Sequence, residues 1–250
     1  MRPLLLSLSL AMFALADWSN DPAEPLHLGT GIDPHIDSTS DGGAYIAWLS
    51  PGNFHIYLQR LDSLGNPQWA EGGVLVSDAP NNSWIAVYHL NLEVDNENNA
   101  ILSAVDTRTG NWEVYIYKLD PDGNQLWGED GLALSSNGTN NISPRIALEV
   151  SDNSIVVTWS DNFTALRLQR ISAEGSLLWG ENGIVVSAFN TSLLSPQPAM
   201  SSDGHLLVQA IRQTGNFPAV SSQMMMQKYT LSGNAVWSSW TQIGTEQSFP

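Results

Sequence analysis

The sequence predicts an all-β chain, a β-propeller built of four-stranded antiparallel blades, and three observations carry that prediction. A tryptophan-centred motif recurs four times in phase. Each recurrence is preceded by the same order of strand-like runs. Tight-turn residues punctuate those runs at matching positions, and no segment carries a helical period.

The motif reads LDSLGNPQWAEGG (61–73), LDPDGNQLWGEDG (119–131), ISAEGSLLWGENG (171–183) and TLSGNAVW (230–237). Its glycines are Gly65, Gly123, Gly175 and Gly233, and its tryptophans are Trp69, Trp127, Trp179 and Trp237, spaced by 58, 52 and 58 residues. These eight residues are read as structural, packing blade on blade, because every complete unit has one of each.

Ahead of each motif lies an alternating run, the pattern of a half-buried strand: 55–62, 114–120, 165–172 and 222–230. Further upstream come the more continuous apolar runs AYIAWLS (44–50), AILSAVD (100–106), SIVVTWS (154–160) and HLLVQAI (205–211), as expected of strands covered on both faces. Turns rich in Asp, Asn and Gly precede these, and a short first strand opens near Pro34, Pro144 and Pro198. Proline and glycine are expected in the turns rather than the strands. The runs GGVLVS, GLALSS and GIVVSA close the units. The blades are expected at about 32–77, 86–136, 143–188 and 196–244, within a repeat domain spanning 17–250.

Residues 60–77, 118–136 and 170–188 resemble the unit "RLDxDGNxLWGExGVxVS", and 34–48 resembles "PxIxxDGxGGxxVxW". Both belong to propeller-type repeat proteins secreted by bacteria, which are often long and often end in a sorting domain. The resemblance implies the fold and a secreted, cell-surface setting, and it implies no particular activity. The tryptophan motifs are also similar to the docking motif of quinoprotein propellers, one residue shorter between acid and glycine.

Residues 1–16, MRPLLLSLSLAMFALA, have a basic start, an apolar run and an Ala-x-Ala end, the grammar of a signal peptide. The apolar run is too short to span a bilayer, so no membrane span is expected after its removal. The segment 18–28 parallels the tail of a unit and has no preceding strands of its own. It is expected as an orphan outer strand, and residues 247–250 as the opening of a further blade. On that count the ring is incomplete and the chain a monomeric module of a longer one.

Composition narrows the function classes. The 250 residues include no cysteine, which excludes disulfide scaffolds and thiolate chemistry. With 25 Asp and Glu against 9 Lys and Arg, the net charge is −16, or −17 without Arg2, which disfavours nucleic acid as a partner. The five histidines, His27, His35, His55, His89 and His205, show no metal-ligand spacing, and no metal or cofactor is expected. Glu71, Glu129 and Glu181 read as solvated turn acids, and 120–124 lacks the terminal Glu of a calcium loop.

The turns between second and third strands repeat an Asn–aromatic pair: Asn53–Phe54, Asn111–Trp112, Asn162–Phe163 and Asn216–Phe217. Such a ring at the channel mouth could stack on sugars and bond their hydroxyls. It could equally start the turn and pin each hairpin to its neighbour, and its regularity favours this structural reading. The sequence therefore suggests a secreted, non-catalytic binding or scaffolding propeller whose ligand is a polysaccharide or a surface protein. The alternative is an extracellular enzyme, a glycoside hydrolase or lyase working at the channel mouth. A quinoprotein-like dehydrogenase rests on the tryptophan motif alone. One observation separates binder from enzyme: acids or histidines that break the fourfold pattern and converge on the channel.

Overall fold

In a computed structural model, residues 23, 25–81, 90–188, 190–216 and 219–249 are described. They form four antiparallel sheets and no helix. The first sheet runs β1 (Ile32–Ser38), β2 (Ala44–Leu49), β3 (Ile56–Leu61) and β4 (Val74–Ser77). The second runs β5 (Asn91–Val94), β6 (Ala100–Asp106), β7 (Glu113–Leu119) and β8 (Leu132–Ala133). The third runs β9 (Asn141–Glu149), β10 (Ser154–Asp161), β11 (Ala165–Ile171) and β12 (Ile184–Val186). The fourth runs β13 (Ser192–Met200), β14 (Leu206–Asn216), β15 (Ala219–Tyr229) and β16 (Thr241–Gln242), and β17 (Gln247–Phe249) also pairs with β15. The four units are thus propeller blades with strands in sequence order. Residues 247–249, expected to open a new blade, instead join the outer side of the fourth. Of the expected orphan strand over 18–28, residues 18–22 and 24 lie outside the described residues, and 25–31 is irregular, with Leu28 O accepting the Gly72 N–H at 3.2 Å.

The blades stack face to face around three cores. Tyr45, Ala47, Leu58, Leu92 and Leu102 fill the space between the first and second sheets. Ile101, Ile116, Val157 and Trp159 fill the next, and Val156, Leu168, Leu206 and Val208 the third. Alternation produces this: Ile101 faces forward and Leu102 backward, so one apolar strand feeds two cores.

The first three motif tryptophans reach the following blade. Trp69, Trp127 and Trp179 lie against Gly123, Gly175 and Gly233, and the indole N–H of Trp179 donates to Leu231 O at 3.1 Å. Glutamines on the third strands hold the same turns: Gln59 and Gln169 each accept from the tryptophan N–H, at 3.1 Å in both blades. A cation one residue further on pairs with an aspartate of the first turn in every blade: Arg60–Asp41, Lys118–Asp95, Arg170–Asp152 and Lys228–Asp203.

The prolines depart from expectation. Pro34 lies inside β1, Pro144 inside β9, and Pro196 and Pro198 inside β13, with Pro196 the counterpart of the other two. These are the innermost strands, edge strands that need no donor on the channel side. The residue before each of Pro34, Pro144 and Pro196 is left-handed (Asp33 φ 51°, Ser143 φ 58°, Ser195 φ 49°), and register slips there in all three blades. A bulge with this backbone turns its side chain out of the ladder.

Candidate functional site in the axial channel

The innermost strands β1, β5, β9 and β13 line the axis, and their registers align residue for residue. One layer holds the bulge residues Asp33, Ser143 and Ser195. The next holds His35, Asn91, Arg145 and Gln197, paired with Ala47, Ser103, Thr158 and Gln209 of the second strands. Two residues deeper come Asp37, Glu93, Ala147 and Ala199, paired with Tyr45, Ile101, Val156 and Leu207.

Part of this polarity serves the fold. Asp37 Oδ2 accepts the Val94 N–H at 2.8 Å, Asn91 Oδ1 accepts the Ile146 N–H at 2.9 Å, and Ser160 Oγ accepts the Ser195 N–H at 3.1 Å. Each bond satisfies a free edge N–H of the following blade from the preceding one.

The remaining groups are not spent this way. Asp33 Oδ2 lies 3.4 Å from His35 Nε2 and has no hydrogen-bond partner among the described residues. Glu93 is half-buried on β5. Burial, and then the charge of Asp37 on the neighbouring strand, pushes its carboxyl up to about 7. Arg145, half-buried on β9, donates from Nη1 to its neighbour Pro144 O at 2.7 Å. Burial lowers its pKa and the charge of Asp33 opposes that. Asp33 and Arg145 thus act on one another electrostatically from the innermost strands of the first and third blades, which share no core. A proton donor near neutrality, a carboxylate beside His35 and a guanidinium therefore stand on the innermost strands of three blades, a set able to do acid–base chemistry on a bound ligand.

The Asn–aromatic pairs lie elsewhere. Asn53 and Phe54 form the β2–β3 turn, where Phe54 enters a crevice with Leu49, Ile56, Leu90 and Ala104 between the first two sheets. Asn111 and Trp112 precede β7, and Asn162 and Phe163 form the β10–β11 turn. Trp112 packs on the second core and meets Phe163 edge-on at 6.5 Å. Asn216 ends β14, and Phe217 lies outside the described residues. The aromatic residues of the first three pairs thus pack at the seams between blades. Among the described residues no three acidic or histidine side chains form a metal-holding group. An outer groove of about 530 Å³ between the first and second blades is lined by Asp78, Arg108, Gln125 and Asp130, and belongs to the outer strands rather than the channel.

Sequence reasoning passed over Asp33, Glu93 and Arg145. The signal for them lay in the exceptions to the repeat: Asp33 stands where Ser143 and Ser195 stand, and Glu93 where Ala147 and Ala199 stand.

No protein-family model and no curated protein matches the chain. Among solved structures it is similar to an α-L-arabinofuranosidase of Fusarium graminearum bound to an iminosugar inhibitor (13% identity, TM-score 0.55, 87% of this chain and 68% of that one). It is also similar to an α-L-arabinanase of Penicillium chrysogenum complexed with arabinobiose (14%, TM-score 0.56, 85% and 66%). A third is an endo-arabinase of Bacteroides thetaiotaomicron (13%, TM-score 0.51, 88% and 82%). The chain spans about two thirds of the length of the first two. Among the described residues no helix is long and apolar enough to cross a membrane. These likenesses confirm the propeller. They also overturn the expectation of a non-catalytic binding or scaffolding module and the leaning against an enzyme: the propellers that this chain is similar to are glycoside hydrolases.

Proposed function

We propose that this chain is a secreted glycoside hydrolase that cleaves a glycan in its axial channel. One observation carries the reading: on the innermost strands of the first two blades carboxylates break the blade repeat, at Asp33 and at Glu93 beside Asp37. A carboxyl that keeps its proton to about 7 can serve as general acid. Asp37 accepts the Ser38 and Val94 N–H groups and raises Glu93 through its charge. Asp33, whose side chain is partly exposed and whose Oδ2 lies 3.4 Å from His35 Nε2, is the carboxylate that can act as a base on water.

In this scheme Glu93 gives its proton to the glycosidic oxygen as the bond from that oxygen to the anomeric carbon breaks. Asp33 takes a proton from the water whose oxygen bonds the anomeric carbon, and solvent returns the proton to Glu93. The arabinose-based ligands of two similar structures support a glycan partner. The leader-like residues 1–16, outside the described residues, support export.

The test is release of reducing ends by the secreted product from a panel of plant and bacterial polysaccharides, with Glu93→Gln as control. Cleavage lost in the variant supports the reading. No cleavage of any polymer, or cleavage unaffected by the substitution, rejects it.

A further inference from the structure

Arg145 departs from the standard that most cations of this chain set; Arg212, which donates to Gln223 Oε1 rather than to a carboxylate, is the other exception among the described residues. Arg60, Arg108, Arg167, Arg170, Lys118 and Lys228 each hold a carboxylate at 2.5–2.9 Å. With 25 acids to 9 basic residues, partners are abundant. Yet among the described residues no carboxylate comes within 4 Å of Arg145, and its one hydrogen bond, to the carbonyl beside it, leaves most of its donor fork unused. A half-buried guanidinium with no carboxylate in contact is costly to maintain, and its lowered pKa, only opposed by the more distant charge of Asp33, expresses the same cost.

The repeat argues against a folding role. The same register position holds His35, Asn91 and Gln197 in the other blades, so the strand forms as well with neutral side chains. Asn91 bonds the following blade from there, whereas Arg145 makes no such bond and feels the charge of Asp33 on the first blade. The guanidinium thus stands on an innermost strand, within electrostatic reach of Asp33, with a planar fork that matches the two oxygens of a carboxylate.

We infer that Arg145 is a specificity residue that binds the carboxylate of an acidic sugar, so that the glycan taken into the channel is a uronic-acid polymer rather than a neutral one. This deepens the hydrolase reading and rests on it for the chemistry, but the binding itself can be tested apart from cleavage. A sulfate ester offers the same charge in a tetrahedral shape, which the planar fork matches less well.

The experiment is calorimetric titration of the full secreted chain at low salt. The probes are a galacturonic acid trisaccharide, its neutral methyl ester and a sulfated neutral trisaccharide. The acid is expected to bind about tenfold tighter than its ester, as one charge-assisted bidentate contact supplies. Arg145→Gln, which installs the residue of the fourth blade, should bring the two affinities together, and Arg145→Lys should keep part of the preference. Equal affinity of the wild type for acid and ester overturns the inference without recourse to any variant. So does a preference that survives Arg145→Gln, or tighter binding of the sulfated sugar. Hydrolysis is scored separately. Cleavage of neutral glycans with no acid preference defeats this inference and spares the hydrolase reading. Acid-selective binding without cleavage does the reverse.

Discussion

The indole of Trp127 lies so close on Gly175 that a Cβ there would stand 2.9 Å from Trp127 Cδ1 and 3.0 Å from Nε1. The same indole donates from Nε1 to Ala173 O at 3.3 Å, so it is fixed to the turn it covers. The Gly-x-x-x-Trp spacing joins two roles in one unit: the glycine receives the preceding blade's tryptophan, and the tryptophan covers the following blade's glycine. Gly175→Ala should therefore cost more than backbone strain. Gly110, at φ +96° with open space where a methyl would stand, is the control. There Ala costs about 1–2 kcal/mol for the left-handed backbone alone. At Gly175 overpacking adds about 1–3 kcal/mol. Urea midpoints compare them, and equal losses would remove the docking argument.

Glu93 predicts a pH-dependent stability of definite sign. Its folded pKa is raised from the ordinary 4.5 to about 7, so the protonated form is favoured by folding. The stability this brings is fully present below about 4.5 and is lost as pH rises through about 7. Glu93→Gln cannot ionise, so it should overtake the wild type at pH 8 by about 1–2 kcal/mol, a figure reduced for solvent screening, and match it near pH 4. Denaturation at the two pH values measures the gap. A constant gap would mean that Glu93 titrates normally.

The blades were legible because their grammar is local. Alternation, turn chemistry and the Trp127–Gly175 type of spacing all lie within one unit and repeat. The bulges were not legible, because proline in a strand is ordinarily a contradiction. It resolves only once β1, β9 and β13 are known to be channel-side edges. The channel groups were hidden for a related reason. Asp33 and Arg145 lie 112 positions apart and influence one another only because blades fan around an axis, whereas Phe54, Trp112 and Phe163 of the conspicuous Asn–aromatic pairs pack at seams. In a repeat protein the regular positions report architecture, and Asp33 against Ser143 and Ser195 shows that the irregular ones mark the channel.

The cations of the four pairs hold one position of the blade, but Asp95 opens its turn, where Asp41, Asp152 and Asp203 lie further along theirs, and burial differs as well. Lys118 and Asp95 are 3% and 2% exposed, and Lys118 Nζ also reaches Ala173 O of the next blade, whereas Asp203 is 55% exposed. Lys118→Met should cost about 3–5 kcal/mol, because it strands a buried carboxylate. Lys228→Met should leave the midpoint unchanged. Burial tends to raise Asp95, but Asn99 and Lys118 hold its carboxyl below the usual range. Its contribution is therefore present above that range and lost as pH falls through the depressed value. Equal midpoints for the two variants would show that the buried pair is dispensable.

Catalysis should separate the three channel carboxylates by role. Asp33→Ser copies the residue that the third and fourth blades carry at the same bulge, so it should fold normally while turnover falls about 10²–10⁴-fold, the usual contribution of a positioned acid or base. Glu93→Gln should lose activity on the same scale. Asp37→Asn tests the coupling between neighbouring strands. Glu93 acts in its protonated form, so wild-type activity should decline as pH rises past about 7. Without the charge of Asp37 the Glu93 carboxyl gives up its proton earlier, and the alkaline limb should move to lower pH with the acid limb unchanged. A limb that stays in place in Asp37→Asn would mean that Glu93 is not the proton donor, or that Asp37 does not tune it. The Glu93→Gln profile decides between these: an alkaline limb that survives there belongs to another group.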